Sequence, residues 1–438
     1  MGLKQIILPQ ITALITSEKR LQKKRLLTEK KRQRKQMPHQ VTFYHRVNDP
    51  YSHLLLKVLP DFRDRFGLAV EPVMLLLDMK EAYYPAPDML ERLALKDACD
   101  LADRYDIPFP RVDKPPAHQK SLLASRLLLS MAESTDPLET MIRVGDAFWL
   151  EDDDALQQLA ASQPLLPEDR VLDQLRLNQQ RLEKEGHYLS GMLHYGGEWY
   201  WGLDRLGHLE RRLLDLGLSA EDQTLRYSHP VNAFPTLPVE QKAPPGTVLD
   251  FFFSFRSPYS YLAIERACKL ADCYGVDLTI KPVLPMVMRG MKVPAAKRMY
   301  IVHDTKREAV QAGIPFGRIF DPVGPGTERA FSLFRHAREK GKERAYILSV
   351  ARGAWSEGID LSTDTGLRRC VERIGLDWQT CRPQLRDESW REMAESNRRE
   401  MFALGSWGVP TFRLGETVVW GQDRFWVLED RLRRITHD

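Results

Sequence analysis

The chain is poor in cysteine: five in 438 residues, Cys99, Cys268, Cys273, Cys370 and Cys381. An odd, sparse set in a chain this long argues against a disulfide framework. No pair has C-x-x-C spacing, which removes both a redox dithiol and a zinc knuckle. Cys268 and Cys273 fall on different faces of one predicted helix and read as reduced core thiols. No His/Cys/Asp/Glu spacing suggests a metal, and no glycine-rich phosphate loop is present. Charge of one sign is scarce as well. The net charge of +4 is too small to imply nucleic acid by itself. No uncharged apolar run approaches the ~18–20 residues that a membrane-crossing helix needs. The apolar stretch Ile6–Ile15 is interrupted by Pro9, Gln10 and Thr12, and most basic charge follows it, so it does not read as a signal peptide. The expectation is a cytoplasmic protein, with 43% hydrophobic and 28% charged residues as in ordinary globular chains.

What is present is organised in four parts: a basic helical segment over 1–38, a first domain over 39–218, a linker over 219–246 and a second domain over 247–438. Residues 18–35 carry ten Lys/Arg against two Glu. They read either as a solvated basic arm packed on its own protein or as a surface helix that makes weak contact with anionic lipid or nucleic acid. The linker is rich in proline (Pro230, Pro235, Pro238, Pro244, Pro245).

The two domains read as distant copies. Val41–Leu54 and Leu249–Leu262 are each a strand running into a helix, and both reach a second strand ending Glu71-Pro72-Val73 and Lys281-Pro282-Val283. Ile107-Pro108-Phe109 echoes Ile314-Pro315-Phe316, and Trp201-Gly202-Leu203-Asp204-Arg205 echoes Trp420-Gly421-Gln422-Asp423-Arg424. Four matches in one order argue for duplication. In the second copy a doubly buried strand, a helix and a second strand make a parallel unit. A long helical stretch follows over about 290–400, then strands at 409–414 and 417–420 and a helix at 423–434. That order is the thioredoxin plan with a helical insertion, so the fold class is α/β, tandem thioredoxin-like domains preceded by a basic helix.

Three motifs carry chemistry. In Ser257-Pro258-Tyr259-Ser260, Pro258 suits the first helical position and Ser257 the N-cap. The helix N-terminus favours an anion such as a thiolate. A serine there cannot exchange disulfides, but it can donate a hydrogen bond to another molecule's thiolate; equally, it can merely cap the helix. In Gly408-Val409-Pro410-Thr411-Phe412 a proline opens a strand; in thioredoxin folds that proline is cis, and the residue before it offers its backbone to an extended ligand. In Trp420–Arg424, Asp423 either accepts an ammonium group or caps the last helix.

These motifs, with Asp250–Ala263 and Trp355–Asp360, resemble the 2-hydroxychromene-2-carboxylate isomerases and kappa-class glutathione transferases of the DsbA-like thioredoxin superfamily, from Val248 onward. The resemblance implies glutathione as cosubstrate. It implies that Ser257 hydrogen-bonds the glutathione sulfur at the helix start formed by Pro258 and Tyr259. It further implies that Val409, before cis Pro410, pairs with the tripeptide backbone, that Gln422 and Asp423 hold the γ-glutamyl end, and that Lys297 meets the glycine carboxylate. The implied reaction is isomerisation or conjugation of a small electrophilic unsaturated substrate.

There are departures. Met291 stands where kappa enzymes have an asparagine contacting glutathione, and Arg256 replaces an apolar residue. Arg256 either helps an anion or simply faces water. In the first copy, Asp49 stands in the place of Ser257 and would repel a thiolate. Leu189–Leu193 there replaces the Gly-Val-Pro-Thr-Phe motif, so that copy reads as degenerate and non-catalytic, with Asp49 as a general base the rival reading. Trp149 and Trp355 read as core, Trp355 with a second option of walling the substrate pocket. Asp304 and its counterpart Asp97 read as structural carboxylates, and His303 sits beside Asp304. The alternative for the whole chain is an inactive module that holds an extended peptide or partner protein beside Pro410. A dithiol oxidoreductase is set aside for want of a cysteine pair, and the oligomeric state is left open.

Overall fold

A computed structural model describes residues 3–78, 86–131, 135–219, 222–228 and 241–437. The chain forms two compact units, residues 1–22 with 230–438, and residues 23–229. Helices α1 (Leu3–Ile15) and α2 (Glu18–Arg34) come first. The expected single segment over 1–38 is therefore two helices, divided between the units at Gln22. The reason lies in their bonds. In α1, Gln5 Nε2 donates to Asp360 (2.9 Å) and Thr12 Oγ1 accepts from Ile319 N (2.8 Å). In α2, Arg25 makes a bidentate pair with Glu198, both bonds 2.8 Å.

The unit of residues 23–229 is built on β1 (Gln40–His45), α3 (Pro50–Phe66), β2 (Ala69–Met74), helices α4 (Pro87–Tyr105), α5 (His118–Ser130), α6 (Pro137–Trp149), α7 (Asp153–Ala161) and α8 (Glu168–Lys184), then β3 (Met192–Tyr195), β4 (Glu198–Trp201) and α9 (Gly202–Asp215). Its sheet order is β2-β1-β3-β4, with β1·β2 parallel and the other pairs antiparallel. Residues 222–228, expected as linker, pack on this unit instead. Buried Glu210 accepts from the backbone N–H groups of Arg226 (2.9 Å) and Tyr227 (3.0 Å) and pairs with Arg65 (2.6 Å). Gly207 lets that segment approach: a Cβ there would stand 2.4 Å from the Tyr227 carbonyl. At the other end of the expected linker, Ala243 N donates to Tyr274 O (2.8 Å). Its centre, with Pro230, Pro235 and Pro238, lies outside the described residues.

The other unit repeats the order: β5 (Val248–Phe253), α10 (Pro258–Tyr274), β6 (Asp277–Pro282), then α11 (Ala295–Ala312), α12 (Pro325–Glu339), α13 (Glu343–Trp355), α14 (Asp364–Glu372), α15 (Trp378–Cys381) and α16 (Trp390–Ala403), and finally β7 (Thr411–Leu414), β8 (Thr417–Trp420) and α17 (Phe425–His437). The sheet order is β6-β5-β7-β8, with the same parallel and antiparallel pairing. Strand β5 is central and apolar on both faces, so Phe251, Phe252 and Phe253 are wholly buried. Across the ladder Phe251 stacks on Phe412 at 4.6 Å. The 290–400 stretch is helical as expected, though α11 starts at Ala295. Strand β7 opens at Thr411, after the proline, because Pro410 has no N–H for the ladder. Helix α17 opens at Phe425, so the residue directly before it is Arg424 and not Asp423.

Candidate functional site

The site begins where β5 gives way to α10. Phe255 is fully buried among Phe253 (5.0 Å), Phe331 (5.4 Å) and Tyr346 (5.9 Å), which pins the turn. Trp355 supports the same turn, its Nε1–H donating to Phe255 O at 2.9 Å while its ring stacks on Phe316. Trp355 is thus a buried brace for the loop that presents Ser257. Ser257 has extended backbone (φ −95°, ψ 112°), Pro258 is at the first helical position, and the Ser257 Oγ accepts from Ser260 N at 3.1 Å. That is the N-cap geometry expected from the sequence.

The second wall is the start of β7. The Val409–Pro410 peptide is cis. Thr411 Oγ1 donates to Gly408 O (2.6 Å), Ser406 shares a buried bond with Thr411 (2.6 Å), and Gly421 N donates to Pro410 O (2.9 Å). Gly408 is required by close approach: a Cβ would stand 2.9 Å from Trp420 Nε1. The Ser257 hydroxyl donates to Val409 O at 3.1 Å, which joins the helix cap to the proline loop across 152 residues.

The remaining predicted residues spread outward from that bond. Lys297 Nζ lies 5.4 Å from the Trp407 ring centroid, and Trp407 packs on Trp420 at 5.3 Å. Burial pushes the Lys297 pKa down to about 8. The Tyr259 hydroxyl donates to buried Asp304 at 2.7 Å, so that carboxylate has the structural role expected of it. Gln422 is wholly buried and bonded within the protein: its Nε2 donates to Glu308 (3.0 Å) and to Asp423, its Oε1 accepts from Arg266, and Arg266 also donates to Gln422 O (2.9 Å). Asp423 is half-buried beside it. Arg256 pairs with Asp321 through two bonds of 2.9 and 2.8 Å, so its charge is directed to that carboxylate.

Trp407, Glu308 and Arg266 were missed by sequence reasoning. Lys297, Asp304 and Glu308 recur at seven and eleven residues along α11, a helical stripe. That spacing was a usable signal for Glu308, but a stripe of charge normally reads as solvated.

In the other unit the corresponding place is built from Asp49, the N-cap of α3. Its Oδ1 accepts from Tyr51 N (3.1 Å) and its Oδ2 from the Ser190 hydroxyl (2.6 Å). Gly202 N donates to Gly191 O (2.8 Å), and Tyr51 donates to Asp97 (2.8 Å). Burial raises the Asp49 pKa, opposed by the Ser190 bond and by Arg46. Trp149 is fully buried in this unit.

The DSBA-like thioredoxin domain model matches residues 248–433. That stretch is a DSBA-like thioredoxin domain. Over it the chain is similar to the 2-hydroxychromene-2-carboxylate isomerase of Pseudomonas putida, with 29% identity across 43% of this chain and 95% of the relative. The isomerase of Pseudomonas sp. (strain C18) is 27% identical across 42% and 89%. A solved structure of 2-hydroxychromene-2-carboxylate isomerase aligns at 28% identity over 43% of this chain and 95% of that chain, with a TM-score of 0.38.

The residue that caps α10 in this domain is a serine, Ser257, and offers a hydroxyl and no thiol. The thiols the domain does have are free. Burial pushes Cys268 and Cys370 up to about 11 and raises Cys381. Cys268 and Cys370, held at about 11, are poor nucleophiles at neutral pH. Among the described residues no cluster of His, Cys, Asp and Glu could hold a metal, and no helix is long and apolar enough to cross a membrane.

Proposed function

We propose that the DSBA-like domain binds glutathione against Ser257 and the Val409–Pro410 loop and uses its thiolate as a nucleophile. The observation that carries this reading is the Ser257 hydroxyl, capping α10 and lying 3.1 Å from Val409 O, where it can turn its proton from a carbonyl to a sulfur anion. The thiolate adds its electron pair to an electrophilic carbon of an unsaturated substrate, and the π electrons move onto the conjugated carbonyl. If the adduct rotates and expels the thiolate, the outcome is isomerisation; if it is protonated and released, the outcome is conjugation. Neither route needs an oxidant. The similarity to 2-hydroxychromene-2-carboxylate isomerases favours isomerisation.

In this reading Val409 pairs with the tripeptide backbone, Asp423 takes the γ-glutamyl ammonium with Gln422 holding it in place, and Lys297 takes the glycine carboxylate. A dithiol oxidoreductase is disfavoured because the capping position holds no thiol. Glutathione and free thiols fit a reducing compartment, the cytoplasm. The unit of residues 23–229 is read as a degenerate duplicate, supported by the shared strand order and the matching bonds around Asp49 and Ser257.

The test is calorimetric titration of glutathione into the purified protein, with and without Ser257→Ala. Binding of one glutathione per chain, with turnover falling more than affinity in the variant, is the expected result. The second reading, a peptide-holding module, is favoured by Met291 and by the first copy, which lacks both the serine and the proline motif. Peptide binding with no glutathione heat and no turnover of any electrophile would establish that module instead.

A further inference from the structure

Helix α1 is mounted inside out. The residues that face its own unit are Gln5, Pro9, Thr12 and Thr16, a stripe with helical spacing. Thr12 Oγ1 accepts from Ile319 N at 2.8 Å, Gln5 donates to Asp360 at 2.9 Å, and Thr16 and Pro9 lie against Gly317 and Gly358. The opposite arc carries Ile6, Ile7, Leu8, Ile11, Leu14 and Ile15, exposed at 41% to 53%. From Gln5 to Thr16 there is no charged residue. Scattered exposed apolar residues are ordinary, but six within ten positions make a patch, and such patches mark contact surfaces.

The neighbouring charge selects the occupant. Two residues after α1 the basic helix α2 begins, and residues 18–35 hold ten Lys/Arg against two Glu. Lys19, Arg20, Lys23, Lys30, Lys31 and Arg34 are exposed and make no ion pair with any described residue. A second copy seated on α1 would bring two such segments together and be repelled; an anionic lipid surface would be attracted. At 13 residues, α1 falls short of the ~20 needed to span a bilayer, so it would lie in the interface plane. We infer that the outward face of α1 is a peripheral membrane-docking surface for anionic lipid, with the exposed Lys19 and Arg20 that follow it in the same unit supplying the electrostatic half of the attachment. A buried apolar face plus a polybasic run is the two-signal arrangement that stable reversible attachment requires.

The experiment is flotation of the full chain with phosphatidylcholine vesicles, with and without phosphatidylglycerol, at low and at physiological salt. The expected result is binding to the anionic vesicles that weakens with salt and falls about ten-fold or more in the triple variant Ile7→Asp, Ile11→Asp, Leu14→Asp. Because these side chains are exposed, its circular dichroism and melting should match the parent. Should the triple variant fail to fold, Leu14→Trp serves instead: its emission should shift to the blue on anionic vesicles, and an unmoved spectrum would overturn the inference. Binding untouched by the triple variant would assign attachment to the basic residues alone and overturn it. Absence of vesicle binding, with the triple variant turning a dimer into a monomer in sedimentation equilibrium, would hand the face to a second copy.

Discussion

Replacing Ser257 by alanine isolates what one hydroxyl does to a bound thiol. In the free protein the hydroxyl donates to Val409 O and accepts from Ser260 N, both at 3.1 Å. When a thiolate arrives, the proton turns from a neutral carbonyl to an anion. A neutral hydrogen bond is worth about 1 kcal/mol net and one to a charged group about 1.5–3 kcal/mol. The thiolate is therefore favoured over the thiol by roughly 1–2 kcal/mol through this group, about one pKa unit at 1.36 kcal/mol per unit. The α10 N-terminus adds about 0.3–1 kcal/mol that the substitution does not remove. From an ordinary thiol near pKa ~8.5, the bound sulfur should titrate near ~7 in the parent and near ~8 in Ser257→Ala. At pH ~7 the ionised fraction, and with it turnover, falls about five-fold, from roughly half to roughly a tenth. Ultraviolet absorbance of the thiolate, followed across pH with glutathione at saturation, reads this directly. S-methylglutathione, whose sulfur cannot ionise, should bind both proteins within about two-fold. The alanine also removes the cap, costing about 1 kcal/mol of stability, so the titration is done well below the melting temperature. An unshifted titration curve, or S-methylglutathione affinity falling as far as turnover, would refute the thiolate role and leave Ser257 as a cap only.

Burial lowers the Lys297 pKa to about 8, so affinity for S-methylglutathione, whose sulfur does not titrate, should weaken as the pH rises through that value and the ammonium is lost; Lys297→Met should flatten that profile in calorimetry, and a parent profile already flat there would exclude the contact. Gln422→Leu leaves buried Arg266 and Glu308 each short of a partner and should cost roughly 2–4 kcal/mol, read as a fall in the midpoint of urea unfolding for the unit that holds it; an unchanged midpoint would mean the cluster is hydrated. Asp49→Asn keeps the cap but removes a carboxylate whose pKa burial raises. A raised carboxyl pKa means the charged form is disfavoured on folding, so the penalty is present above both pKa values and vanishes once the pH falls below the unfolded value of about 3.9. The variant should therefore melt higher than the parent at neutral pH and equally at pH ~3; an equal melting temperature at neutral pH would contradict the burial argument.

Much of the DSBA-like domain was legible because its elements announce themselves locally. Phe251–Phe253 is too apolar for anything but a central strand, Ser257-Pro258 states a helix start, and Pro410 forbids a ladder bond where it stands. The contact between Ser257 and Val409 could be expected only through the plan those elements imply, since no local pattern links residues 152 apart. Polar burial was not legible. Gln422, read as a ligand contact, has its side chain bonded to Glu308 and Arg266, and whether a polar side chain meets water or a buried partner depends on tertiary neighbours. The orientation of α1 was hidden for a related reason. An apolar stripe normally turns inward, but the backbone of Gly317 and Ile319 offers hydrogen-bonding groups that only the Thr12 and Thr16 face can satisfy.

The two units share the frame of the site and differ in its chemistry. Each has a capping oxygen at the first helix, a tyrosine two residues on that donates to a carboxylate of the following helix, and a glycine N–H closing the turn onto the residue before the third strand. At the cap, however, the bond runs the other way. Ser257 is a donor toward the third-strand loop, with a proton that can be redirected to an incoming anion. Asp49 only accepts, from Tyr51 N and from Ser190, and its carboxylate occupies the positive end of the helix with a charge of the sign a ligand thiolate would carry. Replacing a hydroxyl by a carboxylate thus keeps the helix start intact, because aspartate caps as well as serine does. What it removes is a hydroxyl donor at the positive end of the helix, the group to which the proposed function assigns the sulfur. On the proposed reading of the first unit as a degenerate copy, that single difference is enough: Asp49 keeps its cap through Tyr51 N while offering no donor to a sulfur anion.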